Sequence, residues 1–169
     1  MSAFRSRGLE AALVATLIIS TLALAASVLA NPVAESPRSG GPVVLSFTKW
    51  LTTDPSLLPA VMAGTVKGDV VGIFAGEALV IQTTRSGDIT RLEATYEVQA
   101  ADHSFKALMQ GGQNNQAGTA LLDGVILGGW RTGSRVHVEY HVVTNCGQPG
   151  AFNNTCFTGT ITIGPTPEG

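Results

Sequence analysis

The residues best suited to chemistry lie between Arg135 and Val142, where two histidines and a glutamate alternate with apolar residues. On an extended strand this alternation places His137, Glu139 and His141 on one face. Imidazole and carboxylate groups are competent metal ligands. However, His137 and His141 lie about 13 Å apart along such a strand, so one ion does not reach all three side chains. We therefore predict no metal site and interpret this face as the solvent side of a half-buried strand.

Other residues capable of acid–base or nucleophilic chemistry form no recognisable catalytic site. Asp, His and Ser at 102–104 are consecutive, so they cannot converge as a triad, and the chain has no Gly-x-Ser-x-Gly elbow. A glutamate inside an apolar barrel could supply an acid or a base, because burial raises the pKa of a carboxyl group. We place Glu77, Glu93 and Glu97 on wet outer faces instead, since charged groups are rarely fully buried. The sequence therefore identifies no catalytic residue, and we predict no cofactor.

Cys146 and Cys156 are the only cysteines in the chain. An isolated pair ten positions apart is typical of a structural disulfide in an exported protein. Two thiolates alone do not complete a tetrahedral zinc site, which needs four ligands. We predict a disulfide that clamps one hairpin and contributes about 2.5 to 3 kcal/mol through loop closure.

The first thirty residues have the layout of a bacterial-type export signal. Arg5 and Arg7 precede an uncharged apolar stretch over 11–30, which ends in small residues before Asn31. We favour cleavage after Ala30, although an uncleaved anchor is the alternative, because a run of about 20 apolar residues also spans a bilayer. Either way the sequence predicts a secreted, periplasmic or cell-envelope protein, with membrane contact only through this segment if it is retained.

The remaining charge gives no indication of a polyanionic partner. Removing the export segment with Arg5, Arg7 and Glu10 leaves eight basic and eleven acidic residues, a net charge of −3. Nucleic-acid binding relies on clustered Lys and Arg that neutralise phosphates. The basic residues of this chain are scattered singly. We therefore predict no nucleic-acid partner, and the sequence leaves the oligomeric state open.

The rest of the chain predicts one small all-β domain over residues 43–163. Residues 31–42 are rich in Pro and Gly, as expected of a flexible linker, and residues 164–169 form a loose tail. Seven to nine short runs separated by turn residues favour an antiparallel barrel or sandwich of about eight strands, and glycines within the strands favour the barrel. The predicted strands are 43–50, 64–67, 70–74, 77–84, 89–98, 103–110, 119–127, 135–144 and 157–163, and the stretch 111–118 is predicted as a loop. Alternation in two of these strands predicts a set of side chains that point into the barrel: Leu92, Ala94, Tyr96, Val98, Val136, Val138, Tyr140 and Val142.

Aromatic residues are the candidates for lining a ligand cavity in such a barrel, although aromatics in this number are also ordinary barrel core. The candidates are Trp50, Phe74, Tyr96, Trp130 and Tyr140.

Three stretches resemble the allene oxide cyclase and dirigent-like β-barrel superfamily: Arg91–Val98, Ala120–Tyr140 and Gly64–Leu79. The resemblance implies an eight-stranded antiparallel barrel whose apolar cavity binds a hydrophobic small molecule. Some members of the superfamily steer cyclisations or radical couplings without a cofactor. No catalytic carboxylate of the family is matched here, and the cysteine pair and export signal depart from the plant cyclase pattern.

Two functions of different classes follow from these observations. The first is a non-catalytic extracytoplasmic barrel that binds an apolar small molecule or another envelope component. The second is a cofactor-free isomerase or cyclase. A cavity that contains a buried carboxylate would favour the enzyme.

Overall fold

A computed structural model describes residues 41–166; the predicted export segment and most of the predicted linker lie outside the described residues. Within the described part, eight antiparallel strands form a closed barrel, as predicted, and the helical content is one 3-10 turn, Phe152–Asn154. No helix in residues 41–166 is long and apolar enough to cross a membrane. The strands are β1 Val43–Leu51, β2 Ala60–Gly68, β3 Gly72–Thr83, β4 Ile89–Gln99, β5 Phe105–Asn114, β6 Thr119–Gly129, β7 Arg135–Thr144 and β8 Thr155–Ile163.

Sequence neighbours pair around the barrel, and the pairing of β1 with β8 closes it. Val43 lies opposite Ile163 and Trp50 lies opposite Cys156, so the first and last strands pair over almost their whole length. Closure satisfies the backbone hydrogen bonds that an edge strand would leave exposed.

Alternation along β4 and β7 puts the predicted side chains inside the barrel. Tyr96 is 1% exposed and Val138 is fully buried, whereas Val142, which was also predicted to point inward, is partly exposed. Leu92 points inward as predicted and packs against the core, although it is partly exposed. The buried members of the predicted set are Ala94, Tyr96, Val98, Val136, Val138 and Tyr140.

The prediction of two strands at 70–74 and 77–84 is wrong, because the structure has a single strand, β3, across this region. A bulge shifts its pairing with β4 between Ala78 and Val80. An extra residue reverses the alternation, so Phe74 and Ala78 point inward before the bulge and Ile81 does so after it. The glycine-rich stretch 111–118, predicted as a loop, contributes its first four residues to β5.

Glycine at position 159 lets strands β7 and β8 approach closely. A Cβ atom at this position would overlap the carbonyl oxygen of Glu139 and lie 2.6 Å from the Cα of Tyr140. Gly124 of β6 meets the carbonyl oxygen of Leu108 in the same way. Both positions therefore require the absence of a side chain, as expected where a small barrel bends sharply.

The two ends of the barrel differ. At one end, which we call the packed end, Val43, Val98, Phe105 and Ile163 are at most 3% exposed and fill the interior. At the opposite end, which we call the cavity end, the connections β1–β2, β3–β4, β5–β6 and β7–β8 lie around an opening.

The predicted disulfide joins Cys146, in the β7–β8 connection, to Cys156 on β8, with their Cα atoms 5.9 Å apart. Cys156 is fully buried. The bond closes the longest connection at the cavity end, and disulfides are typical of proteins that fold in an oxidising compartment.

Candidate ligand cavity

A cavity of about 210 Å³ occupies the half of the barrel nearest the cavity end. Its wall is mostly apolar, and Leu51, Ile81, Leu92 and Phe157 along it are partly exposed, so the cavity is open to solvent. The other lining residues include Lys49, Pro55, Met62, Ala78, Thr90, Ala94, Tyr96, Gln113, Leu122 and Tyr140.

Among residues 41–166, Lys49 is the one cationic side chain that lines this cavity. It follows Leu45 and Phe47 in the inward-facing set of β1, and it is only 4% exposed. Alternation therefore forces a lysine into the barrel interior, since a one-residue slip would expose Leu45 and Phe47 instead.

The amine of Lys49 is hydrogen-bonded to the hydroxyl of Tyr96 and lies 3.7 Å from the sulfur of Met62. Aromatic faces surround it, and such faces attract a cation through their quadrupole. Its distance to the ring centre is 4.1 Å for Tyr96, 5.0 Å for Tyr140, 5.7 Å for Phe74, 5.7 Å for Phe157 and 5.8 Å for Phe47.

Burial without a carboxylate partner lowers the pKa of Lys49 from 10.5 to about 7, because the apolar surroundings disfavour the charged amine. Burial also raises the pKa of Tyr96 well above its ordinary value, with a smaller contribution from Tyr140, and it raises the pKa of Tyr140. Near neutral pH the cavity therefore contains an amine that is partly uncharged beside two protonated phenols.

A chain of polar side chains leads from the cavity to its rim. The hydroxyl of Tyr140 donates a hydrogen bond to the side-chain oxygen of Gln113 (3.2 Å), whose amide nitrogen donates to Asn115 (2.9 Å). The amide nitrogen of Asn115 in turn donates to the hydroxyl of Thr90 (2.9 Å). These amide and hydroxyl groups provide a polar side to an otherwise apolar opening.

Of the five aromatic residues predicted to line a cavity, Tyr96 and Tyr140 do so. Phe74 lies outside the cavity lining and packs against Tyr96, with the two ring centres 4.9 Å apart. Trp50 lies outside the cavity lining, because its position on β1 alternates with Lys49 and faces outward. Trp130 lies in the turn after β6, at the packed end, with its ring centre 4.4 Å from that of His103.

None of the three glutamates considered as an acid or base is buried. Glu77 is exposed, whereas Glu93 and Glu97 are partly exposed. Glu93 is the one carboxylate among the residues that line the cavity, and no ion pair joins it to Lys49 in the described residues. The buried titratable groups of the cavity are therefore an amine and two phenols.

Sequence reasoning missed Lys49 and Gln113. The alternation of Leu45 and Phe47 with polar residues already indicated that Lys49 points inward. Gln113 was hidden because it lies in a glycine- and amide-rich stretch that is typical of loops.

On the outside of the barrel, on the face that it shares with Glu139 and His141, His137 lies between two carboxylates. Its Nδ1 is 2.8 Å from Asp123 and its Nε2 is 3.2 Å from Glu139. The hydrogen bonds to Asp123 and then Glu139 raise the pKa of His137, because both carboxylates favour the protonated ring. The structure therefore gives this face a histidine that is hydrogen-bonded to two carboxylates, and the absence of a metal there stays a prediction.

Comparison of the chain with models of protein families, with curated proteins and with solved structures found no match.

Proposed function

We propose that the protein binds a small, mostly apolar molecule in the barrel cavity, with the polar end of the ligand against Lys49. The observation that carries this proposal is a buried amine in the wall of an apolar cavity. Burying an ionisable group without a counter-charge costs stability, so a barrel that needed only a filled core would carry an apolar residue at this position.

The size of the cavity limits the ligand. An enclosed apolar cavity of about 150 Å³ accommodates benzene, so about 210 Å³ suits roughly ten non-hydrogen atoms, such as one ring with a short chain. The partly exposed rim allows a longer ligand to extend toward solvent beside Gln113 and Thr90.

We further propose that the protein works outside the cytoplasm, in the secreted, periplasmic or envelope compartment. The Cys146–Cys156 disulfide supports this location, because disulfides persist in oxidising compartments. The export-type segment in the sequence supports the same location. The resemblance to allene oxide cyclase and dirigent-like barrels, which implies an eight-stranded barrel with an apolar cavity, supports a hydrophobic ligand.

Titration calorimetry with trans-cinnamyl alcohol, an uncharged molecule of suitable size, tests the binding proposal. We expect saturable binding to the native protein and its loss in Ala94→Leu, because Ala94 lines the cavity and the added carbons fill it. Ala101→Leu is the matched control, since Ala101 is exposed near the packed end. Equal affinity in both variants would place the ligand elsewhere and overturn the proposal.

A cofactor-free isomerase is the second candidate, and the Lys49–Tyr96 pair favours it specifically. An amine with a pKa near 7 is suited to removing a proton at neutral pH, and the adjacent phenol can stabilise the developing oxyanion. Exchange of the α-hydrogens of 4-phenyl-2-butanone with deuterated water, followed by NMR, measures this activity. We expect acceleration by the native protein and none by Lys49→Met; the absence of acceleration by the native protein would remove the support for catalysis.

A further inference from the structure

The environment of Lys49 is suited to an electrophile more than to an anion. The amine has no ion pair in the described residues, its hydrogen-bond partner is an uncharged phenol, and the nearest surfaces are aromatic rings and a thioether. A carboxylate ligand would have to give up its hydration to meet an amine in apolar surroundings, at a cost that the resulting ion pair offsets only with good geometry.

We propose that the Lys49 amine binds an aldehyde or ketone of a small apolar ligand covalently and reversibly, as an imine. The inference rests on the proposed function, because the ligand must first enter the cavity, and it specifies the chemical class of that ligand. Buried lysines with a neutral amine are the usual protein nucleophiles for carbonyl compounds. The lowered pKa of Lys49 supports the inference, since only the uncharged amine attacks a carbonyl carbon.

The reaction balances without a further reagent. The amine lone pair forms a bond to the carbonyl carbon, the π pair moves to the oxygen, and one amine proton passes to that oxygen to give a carbinolamine. The nitrogen lone pair then forms the C=N bond as the C–O bond breaks, and the second amine proton completes the departing water. Tyr96 is hydrogen-bonded to the amine, so its hydroxyl can relay both protons from nitrogen to oxygen.

The position of the amine also limits hydrolysis of the imine. Lys49 is 4% exposed and Tyr96 is 1% exposed, so a bound ligand above them would leave little access for water. Exposed lysines, by contrast, form imines that water reverses freely. Selective trapping of the imine at Lys49 would therefore distinguish the cavity site from reaction at exposed lysines.

The test uses trans-cinnamaldehyde with sodium cyanoborohydride at pH 7, where the hydride converts an imine into a stable secondary amine. The product has the mass of the protein plus the aldehyde less one oxygen atom. The chain supplies its own controls, since Lys67 and Lys106 are exposed. An amine with the ordinary lysine pKa of 10.5 is neutral in roughly one molecule in three thousand at pH 7, so we expect Lys49 to be labelled at least about tenfold faster than either control.

Peptide mapping of the disulfide-intact protein locates the label. We expect Ala94→Leu to abolish labelling at Lys49 without changing that at Lys67 and Lys106, and Tyr96→Phe to slow it. Labelling at Lys49 no faster than at the exposed lysines would overturn the inference. If trans-cinnamyl alcohol binds while the aldehyde leaves Lys49 unmodified, the imine proposal fails and the proposed function stands; if neither occurs, both fail.

A third ligand separates the imine from an anion site. Binding of trans-cinnamate that is lost in Lys49→Met, together with no trapped aldehyde at Lys49, would show that the amine pairs with a carboxylate and would overturn the inference. Trapped aldehyde at Lys49 supports the imine whether or not cinnamate also binds.

Discussion

Replacing Lys49 by methionine should remove a pH-dependent loss of stability from the barrel. Burial lowers the pKa of Lys49 from 10.5 in water to about 7 in the folded protein. Between these two values the unfolded chain binds a proton that the folded chain does not, so the free energy of unfolding rises with pH in this range. Below the folded pKa both states are protonated, and the buried charge costs about 5 kcal/mol relative to the fully deprotonated state.

The expected magnitude over an accessible range follows from the same values. Raising the pH from 6 to 9 should increase the contribution of Lys49 to the free energy of unfolding by about 2.5 to 3 kcal/mol. The methionine variant lacks this contribution. Its free energy of unfolding minus that of the native protein should therefore fall by the same amount between pH 6 and pH 9. Other groups, including His137 with its raised pKa, titrate in both proteins. Their contributions therefore cancel in the difference between the two free energies of unfolding.

Urea unfolding at pH 6, 7, 8 and 9, with the disulfide intact, measures this difference. Lys106→Met is the matched control, because it makes the same change of side chain at an exposed position on the outside of the barrel. Loss of the hydrogen bond to Tyr96 destabilises the Lys49 variant by an amount that does not change with pH, since Tyr96 stays protonated throughout. A stability difference that is the same at pH 6 and pH 9 would refute the reasoning.

Three further outcomes are expected. Tyr96→Asp should destabilise the protein by several kcal/mol, because it places a carboxylate in the core, and an unchanged thermal midpoint would contradict the inward assignment. Replacing Cys146 and Cys156 by serine should lower the free energy of unfolding by about 2 to 3 kcal/mol, because the disulfide is lost. Equal denaturant midpoints with and without the bond would show that the disulfide does not stabilise the barrel. Gly159→Ala should destabilise far more than Gly128→Ala, where no atom lies within 4 Å of the added carbon; comparable melting temperatures would show that β7 and β8 can separate without cost.

The architecture could be predicted from the sequence because the interior is specified by alternation. The β4 and β7 runs carry apolar residues at every second position, and that spacing determines which face is buried. The same rule failed at β3, where a bulge near Ala78 changes the alternation within one strand. A local pattern does not reveal a bulge, since the bulge depends on pairing with the neighbouring strand.

The cavity was less predictable than the fold, for a different physical reason. Trp50 is a more usual core residue than Lys49, yet β1 must bury Leu45 and Phe47, and the position of Lys49 follows from theirs. Amino-acid type alone therefore predicted that Trp50 lines the cavity, whereas its neighbour Lys49 does so. The volume of the cavity depends on small residues such as Ala78 and Ala94 meeting across β3 and β4, which requires knowledge of the register.

Because β1 pairs with β8, the barrel could keep the same strand pairings if the chain began at a different strand. A single nitrogen of Arg131 donates hydrogen bonds to the carbonyl oxygens of both Gly41 and Gly164, each at 2.9 Å, so the two ends of the domain lie side by side. A circular permutant that joins residues 41 and 164 through a short linker and opens within the exposed stretch 84–87 would retain all eight strand pairings. Its new termini would lie beside the cavity, where a fused reporter could respond when a ligand enters the barrel.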